Sequence, residues 1–313
     1  MNFKVSPGVY PTMITPYKNG EINYEAVKKL VKWYWDKGCE GVFAACQSSE
    51  IMYLSLEERI QLVRTVVETA KELATLDKSR QPLVVVASGH VCDDFNKQVE
   101  ELNAIIKEGP DALILISNRM NIENTSDEDW IKDAERIIDK LPKDMPLGIY
   151  ECPKPYKRLM SEKMLKWCID TKRFYFMKDT CCDASLMAQR LKLCRGSNLH
   201  LFNANAQTLL SSLNNGASGY SGVMANFHPE LYISLIKTKD ELIQDYIGLT
   251  ASLENLTYPC CAKYYLSKYE DIEMDIDARS NDVNKFTDYQ KSCIDQFAQL
   301  DSYIKKTLLN SKH

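Results

Sequence analysis

One pattern limits this chain more than any other: from residue 8 to residue 237, short apolar runs alternate with stretches of helical periodicity, eight times over. The runs fall at residues 8–15, 41–45, 83–87, 112–116, 146–150, the segment ending at Lys178, 199–203 and 216–222. Between them, residues 24–37, 55–73, 93–107, 127–140, 162–171, 183–195 and 206–213 read as helices, and Pro229 opens an eighth at its first turn. Ser55 and Asp183 are placed as N-caps, with Glu57 and Glu58 in the first turn after Ser55. Strands apolar along their whole length are buried on both faces, as in a parallel sheet covered by helices. Eight such units predict an α/β fold, a (β/α)8 TIM barrel. An open doubly wound sheet is the alternative, but neither G-x-G-x-x-G nor a P-loop follows any of the strands. From Lys239 onwards the pattern reads as helical only. The chain is therefore divided into a barrel carrying the active site, residues 1–237, and a C-terminal helical extension packed on it, residues 238–313.

Composition narrows the function. A formal net charge of -4 gives no electrostatic case for nucleic acid or an anionic membrane, and no apolar run is long enough to span a bilayer. The first residues, Met1 to Pro7, carry no apolar signal core. Eleven cysteines include no C-x-x-C pair and no His or Cys at ligand spacings, so neither a zinc site nor a disulfide framework is expected. Reduced thiols in a cytoplasmic protein without metal or other cofactor fit this usage.

In a barrel of this kind, chemistry gathers at the C-terminal ends of the strands. There the sequence places Cys46-Gln47-Ser48-Ser49-Glu50 after strand two, Tyr150 at strand five, Lys178 at strand six, Asn203 and Asn205 at strand seven, and Ser221 at strand eight. A lysine at a strand end usually snorkels into solvent. Buried, it loses its charge more readily and becomes an amine able to attack a carbonyl. An amine, a phenol and a group of donors suit a 2-oxo acid: the lysine forms an imine, Tyr150 moves the proton and the donors hold the carboxylate. The plainer readings are Tyr150 as core, Ser48 as a cap and Ser221 as small-residue packing. His90 after strand three is read as a substrate contact or a loop histidine, Arg119 as a fork for a second carboxylate or a subunit-interface salt bridge, and Tyr156-Lys157-Arg158 as a solvated basic loop.

The motifs resemble those of the dihydrodipicolinate synthase and N-acetylneuraminate lyase superfamily of class I pyruvate-dependent aldolases. Gly8-Val9-Tyr10-Pro11-Thr12-Met13-Ile14-Thr15-Pro16-Tyr17 is similar to its G-x-x-x-A-x-x-T-P-F opening, and Gly20-Glu21-Ile22-Asn23 to G-x-I-D. Gly38-Cys39-Glu40-Gly41-Val42 with Glu50 and Leu54 resembles G-V-x-G … G-T-T-G-E-x-x-x-L, Tyr150-Glu151-Cys152-Pro153 resembles Y-N-x-P, and Met177-Lys178-Asp179-Thr180 resembles G-I-K-[DE]-[AST]. The resemblance implies Lys178 as the Schiff-base lysine and Tyr150 as the proton-moving tyrosine. It further implies Gln47 and Ser48 on the hydroxyl positions of the carboxylate loop, and Ser221 as a backbone contact to the 2-oxo acid. It also implies pyruvate and an unknown aldehyde as substrates, and a homodimer or homotetramer.

Departures accompany it. Cys46 and Ser49 replace both loop glycines, which predicts an altered loop. Asn118-Arg119 stand where the synthase branch has paired tyrosines, Leu56 and Arg59 where it has the histidines of its lysine-inhibition site, and Ala206-Gln207 where the sialic-acid branch has an Asp-Glu pair. The expected function is a Schiff-base-forming aldolase or lyase. The alternatives are a catalytically silent 2-oxo-acid-binding barrel or an imine-dependent dehydratase.

Overall fold

The computed structural model describes residues 5–310; the reading of Met1 to Lys4 lies outside them. Eight parallel strands alternate with helices: β1 Gly8–Val9, β2 Gly41–Ala44, β3 Val84–Ala87, β4 Ala112–Ile116, β5 Leu147–Tyr150, β6 Phe174–Asp179, β7 His200–Asn203 and β8 Gly219–Tyr220. Each pairs with its successor, except that β1 pairs with β8 and meets β2 only through a parallel bridge between Thr12 and Phe43. The result is a nearly closed (β/α)8 TIM barrel, as the alternation predicts. The first strand is shorter than its apolar run because Pro11 has no N–H to continue the ladder, although its carbonyl still accepts from Phe43 at 2.9 Å. Where β8 closes on β1, a Cβ on Gly219 would lie 1.8 Å from the carbonyl oxygen of Gly8, so this seam excludes any side chain.

The helices surround the sheet: α1 Tyr24–Asp36, α2 Leu56–Leu76, α3 Phe95–Lys107, α4 Asp127–Ile138, α5 Glu162–Asp170, α6 Ala184–Cys194, α7 Leu209–Asn214 and α8 Pro229–Thr238. Short polar side chains cap the starts of α1 to α6. Ser55 makes a capping box with Glu58, and Asp183 accepts from Ser185 and Leu186, as placed from sequence. α7 begins three residues later than its pattern suggests. Asn205 Oδ1 accepts the Thr208 N–H at 3.0 Å and fixes the preceding residues as a turn.

Aromatic rings fill the barrel interior. Phe176 stacks on Phe202 with centroids 4.5 Å apart, and Tyr10 packs on Phe202 at 4.7 Å. Tyr150 sits edge-on to Phe43, with centroids 5.6 Å apart. Each such ring contributes by the area it removes from water and by its edge-to-face geometry. All eleven cysteines are free thiols. Among the described residues, no helix is long and apolar enough to cross a membrane.

Beyond α8 come α9 Glu241–Thr250, α10 Cys260–Tyr269 and α11 Asp288–Asn310. The expectation of helix alone after Lys239 is corrected here. Residues 271–282 form an irregular return whose Asp275 bridges antiparallel to Tyr17. Its sequence carries the reason: Ile272, Met274 and Ile276 alternate with Glu273, Asp275 and Asp277, a period of two that a helix cannot bury on one side. Ile272 and Met274 are buried accordingly.

Candidate active site

The pleat of β6 decides where its lysine points. Phe176 is packed inside the barrel, and two residues on, the same face carries Lys178 one layer nearer the C-terminal mouth. Lys178 is flanked in register by Tyr150 of β5 and Phe202 of β7. Its ammonium lies 4.2 Å above the Tyr150 ring, and the residue is only 5% exposed. Among the described residues, no carboxylate forms an ion pair with it. Burial lowers its pKa, against weaker opposing influences from Cys46, Cys152 and Glu254. The snorkelling alternative is excluded by this burial.

The residues that follow Tyr150 and Lys178 point the other way and anchor both strand ends. Arg190 of α6 bonds to Glu151 at 2.8 Å and to Asp179, while Glu151 accepts the backbone N–H groups of Met160 at 2.7 Å and Thr180 at 2.9 Å. Burial and the neighbouring Asp179 push the Glu151 carboxyl upward, and Arg190 opposes them.

Tyr150 is buried, which pushes its phenol well above the ordinary range, so it enters chemistry protonated. Its hydroxyl donates to Gln47 Oε1 at 3.5 Å, and the Cys152 thiol donates to the same oxygen at 3.5 Å. Ser48 donates to Thr12 Oγ1 at 3.2 Å. The loop that holds Gln47 and Ser48 does without its glycines. Cys46 takes an ordinary extended backbone, Ser49 lies in a 3-10 turn, and the positive φ angles fall instead on Ala45 (49°) and Glu50 (64°). Ser49 Oγ donates to Met13 O at 2.7 Å and accepts the Cys46 N–H at 3.1 Å, stapling the loop to the segment after β1.

Lys178, Tyr150, Gln47 and Ser48 open onto one cavity of about 780 Å³. Ser221 does not line it. It is fully buried with an unpartnered Oγ, and its N–H is spent on Asn203 O at 2.9 Å, so Gly222 and Val223 form that wall. Asn205 lines the cavity, whereas Asn203 binds Thr208 and Ser212. His90 is a core histidine: the Ile116 N–H must donate to its Nε2 (2.7 Å), so Nδ1 carries the proton and donates to Gln98 Oε1 (2.9 Å). Burial lowers its pKa to about 4.

Arg119 reaches the cavity edge, held by Asp93 at 2.7 Å and Val91 O at 3.0 Å. Asn118 beside it donates to the carbonyls of Cys152 and Lys154, both at 2.9 Å, and so fixes the loop after Tyr150. Of the basic group, Lys157 lines the cavity and bonds Thr180 O at 2.7 Å. Arg158 is buried against Asn121 O and Ser126 O, and Tyr156 binds Ile122 O.

The motifs did not reveal the contribution of the extension. Glu254, Tyr258, Ser280 and Asn281 all line the cavity. Glu50 carries much of this connection: its carboxylate pairs with Lys263 of α10 at 3.2 Å, both side chains fully buried, and accepts the Ser280 N–H at 2.7 Å. The one local signal was Tyr258-Pro259, a dipeptide that interrupts an otherwise helical stretch.

Comparison with known proteins agrees with this geometry. The model of the dihydrodipicolinate synthetase family matches residues 5–79. A 4-hydroxy-tetrahydrodipicolinate synthase of Fervidobacterium nodosum is 25% identical over 229 residues, 73% of either chain. Among solved structures, a catalytic-lysine mutant of the Ruminococcus gnavus sialic acid aldolase shares the fold with a TM-score of 0.80, at 20% identity over 96% of this chain and 97% of that one. An Escherichia coli prophage protein of the dihydrodipicolinic acid synthase family, solved with pyruvate, gives 0.81 at 15% identity over 94% and 98%. What these comparisons share with the chain is the barrel fold. The chain is thus similar in sequence to the dihydrodipicolinate synthetase family over residues 5–79, and it shares its fold with proteins of both the synthase and the sialic acid aldolase kind.

Proposed function

We propose that the protein is a class I aldolase or lyase that forms an imine between Lys178 and a 2-oxo acid, with pyruvate as the expected acid. The observation that carries this reading is the buried Lys178 amine, without a carboxylate partner among the described residues, 4.2 Å from the Tyr150 ring in an accessible cavity. Desolvation lowers the Lys178 pKa and so favours the neutral amine that addition to a ketone requires. The amine adds to C2, and the carbonyl electron pair passes to oxygen, which takes a proton from Tyr150. The adduct nitrogen gives up one of its protons to that oxygen, and loss of the oxygen as water leaves the iminium and a Tyr150 phenolate. The phenolate takes the C3 proton to give an enamine, whose carbon attacks the aldehyde and re-forms the iminium. Tyr150 passes the proton to the new alkoxide, and hydrolysis by water releases the product, restores the Lys178 amine and returns a proton to Tyr150. Cleavage is the same sequence reversed. Gln47 and Ser48, with the backbone beside Ser221, are assigned to the carboxylate.

Borohydride reduction with pyruvate tests the reading: an adduct located by mass spectrometry on Lys178 is expected, and its disappearance in Lys178→Arg. Absence of any adduct with a panel of 2-oxo acids sinks it. A specific observation favours a silent binding barrel as second reading: the partner of Tyr150 is an amide oxygen, which accepts a hydrogen bond but has no proton to pass on. Adduct formation without release of pyruvate from any hydroxy-oxo acid would select that reading. A product of unchanged carbon number would select the dehydratase.

A further inference from the structure

The extension contributes a second phenol to the cavity. Tyr258 lies between a 3-10 turn, Ala251–Asn255, and α10, and it lines the same cavity as Lys178 and Ser48. The residue before it, Thr257, has a φ of 54°, a left-handed conformation that a β-branched side chain resists. Thr257 is held there by bonds from its hydroxyl to Gln290 Oε1 at 2.9 Å and Lys285 O at 3.3 Å. Backbone strain of this kind persists where surrounding structure enforces it, and it fixes the direction of the next side chain.

The hydrogen-bond pattern sets the direction of the Tyr258 proton. Asn226 is locked by Tyr34, whose hydroxyl donates to Oδ1 at 2.5 Å, and by donation of its own Nδ2 to Thr12 O at 3.0 Å and Val223 O at 2.8 Å. The same Nδ2 faces the Tyr258 hydroxyl at 3.2 Å. An amide NH2 can only donate, and its two hydrogens face three acceptors, so the phenol oxygen shares one of them and its own O–H points elsewhere. Its other side-chain partner is the Ser48 hydroxyl, whose oxygen can accept it. Ser48, the adjacent hydroxyl, has already given its proton to Thr12. Burial keeps the phenol protonated. The Tyr258 O–H therefore rests on the Ser48 oxygen at the cavity wall, where a charged acceptor in the cavity can take it over.

We infer that Tyr258 donates its O–H to the carboxylate of the bound 2-oxo acid, adding a donor from the extension to the loop at Gln47 and Ser48. This rests on the 2-oxo-acid reading above, and it makes the extension part of the binding site within one chain. Such a donor acts on a charged acceptor in a buried site, where a hydrogen bond is worth about ten- to hundredfold in affinity.

The test compares the full-length chain with Tyr258→Phe on three probes: pyruvate by borohydride trapping, oxamate by calorimetry, and methyl pyruvate, which lacks the carboxylate, by trapping. Tyr258→Phe should weaken pyruvate and oxamate by about ten- to hundredfold and leave methyl pyruvate within about twofold. Unchanged binding of pyruvate and oxamate overturns the inference, as does equal loss with methyl pyruvate, or a wild type that binds no carboxylate. If oxamate binding depends on Tyr258 while no adduct forms on Lys178, the imine reading fails and this one stands. Should the variant not fold, a wild-type structure with oxamate decides: a Tyr258 oxygen within about 3 Å of the carboxylate supports the inference, and one beyond about 4 Å overturns it.

Discussion

A lysine amine that is buried under an aromatic ring, with no ion pair among the described residues, has lost most of what stabilises its charge. That is the physical difference between Lys178 and a lysine at an ordinary strand end. Its strand position was readable from the apolar run, but its burial depended on Tyr150 and Phe202 standing beside it. His90 shows the opposite outcome. Near the same face in sequence, it is consumed by the Ile116 N–H and by Gln98 and never reaches the cavity. It also gives a pH signature. Its folded pKa, about 4, lies below the ordinary 6.5, so the stability it contributes is complete above about pH 6.5 and is lost as pH falls toward 4. In urea titrations across that window, the stability advantage of wild type over His90→Asn should shrink by up to about 3 kcal/mol.

At the level of elements, β5 and β6 are held by residues that alternate with the functional ones. Tyr150 and Lys178 face inward, and Glu151 and Asp179 face outward onto Arg190 of α6. This is a buried ion-pair triad, so its removal leaves two carboxylates uncompensated. Arg190→Met should cost about 3–5 kcal/mol in chemical denaturation, and a loss under about 1 kcal/mol would contradict the assigned role. Strands and most helix starts were legible because period and capping residues are local signals. The starts of α7 and the ends of β1 and β8 were not. Asn205, Pro11 and the Gly219 seam act through bonds and contacts that hydrophobic periodicity does not encode.

For the whole molecule, the extension closes one side of the site and is tied to the barrel at Glu50. Lys263→Met strands the Glu50 carboxylate in a fully buried position, and a loss of about 3 kcal/mol or more is expected by thermal or urea unfolding. Restoring neutrality with Glu50→Gln in the same chain should recover part of it. On its own, the sequence determined the eight-unit alternation, the helix starts and the identity of the lysine and tyrosine at the mouth, because hydrophobic period and strand-end position are properties of short segments. Only the tertiary structure decided that Ser221 sits behind the wall, that His90 belongs to the core, and that Tyr258 and Glu254 line the same cavity as Lys178. Each of those outcomes depends on which groups from distant segments take up a hydrogen bond or exclude water, and that is settled only when the barrel closes and the extension folds across it.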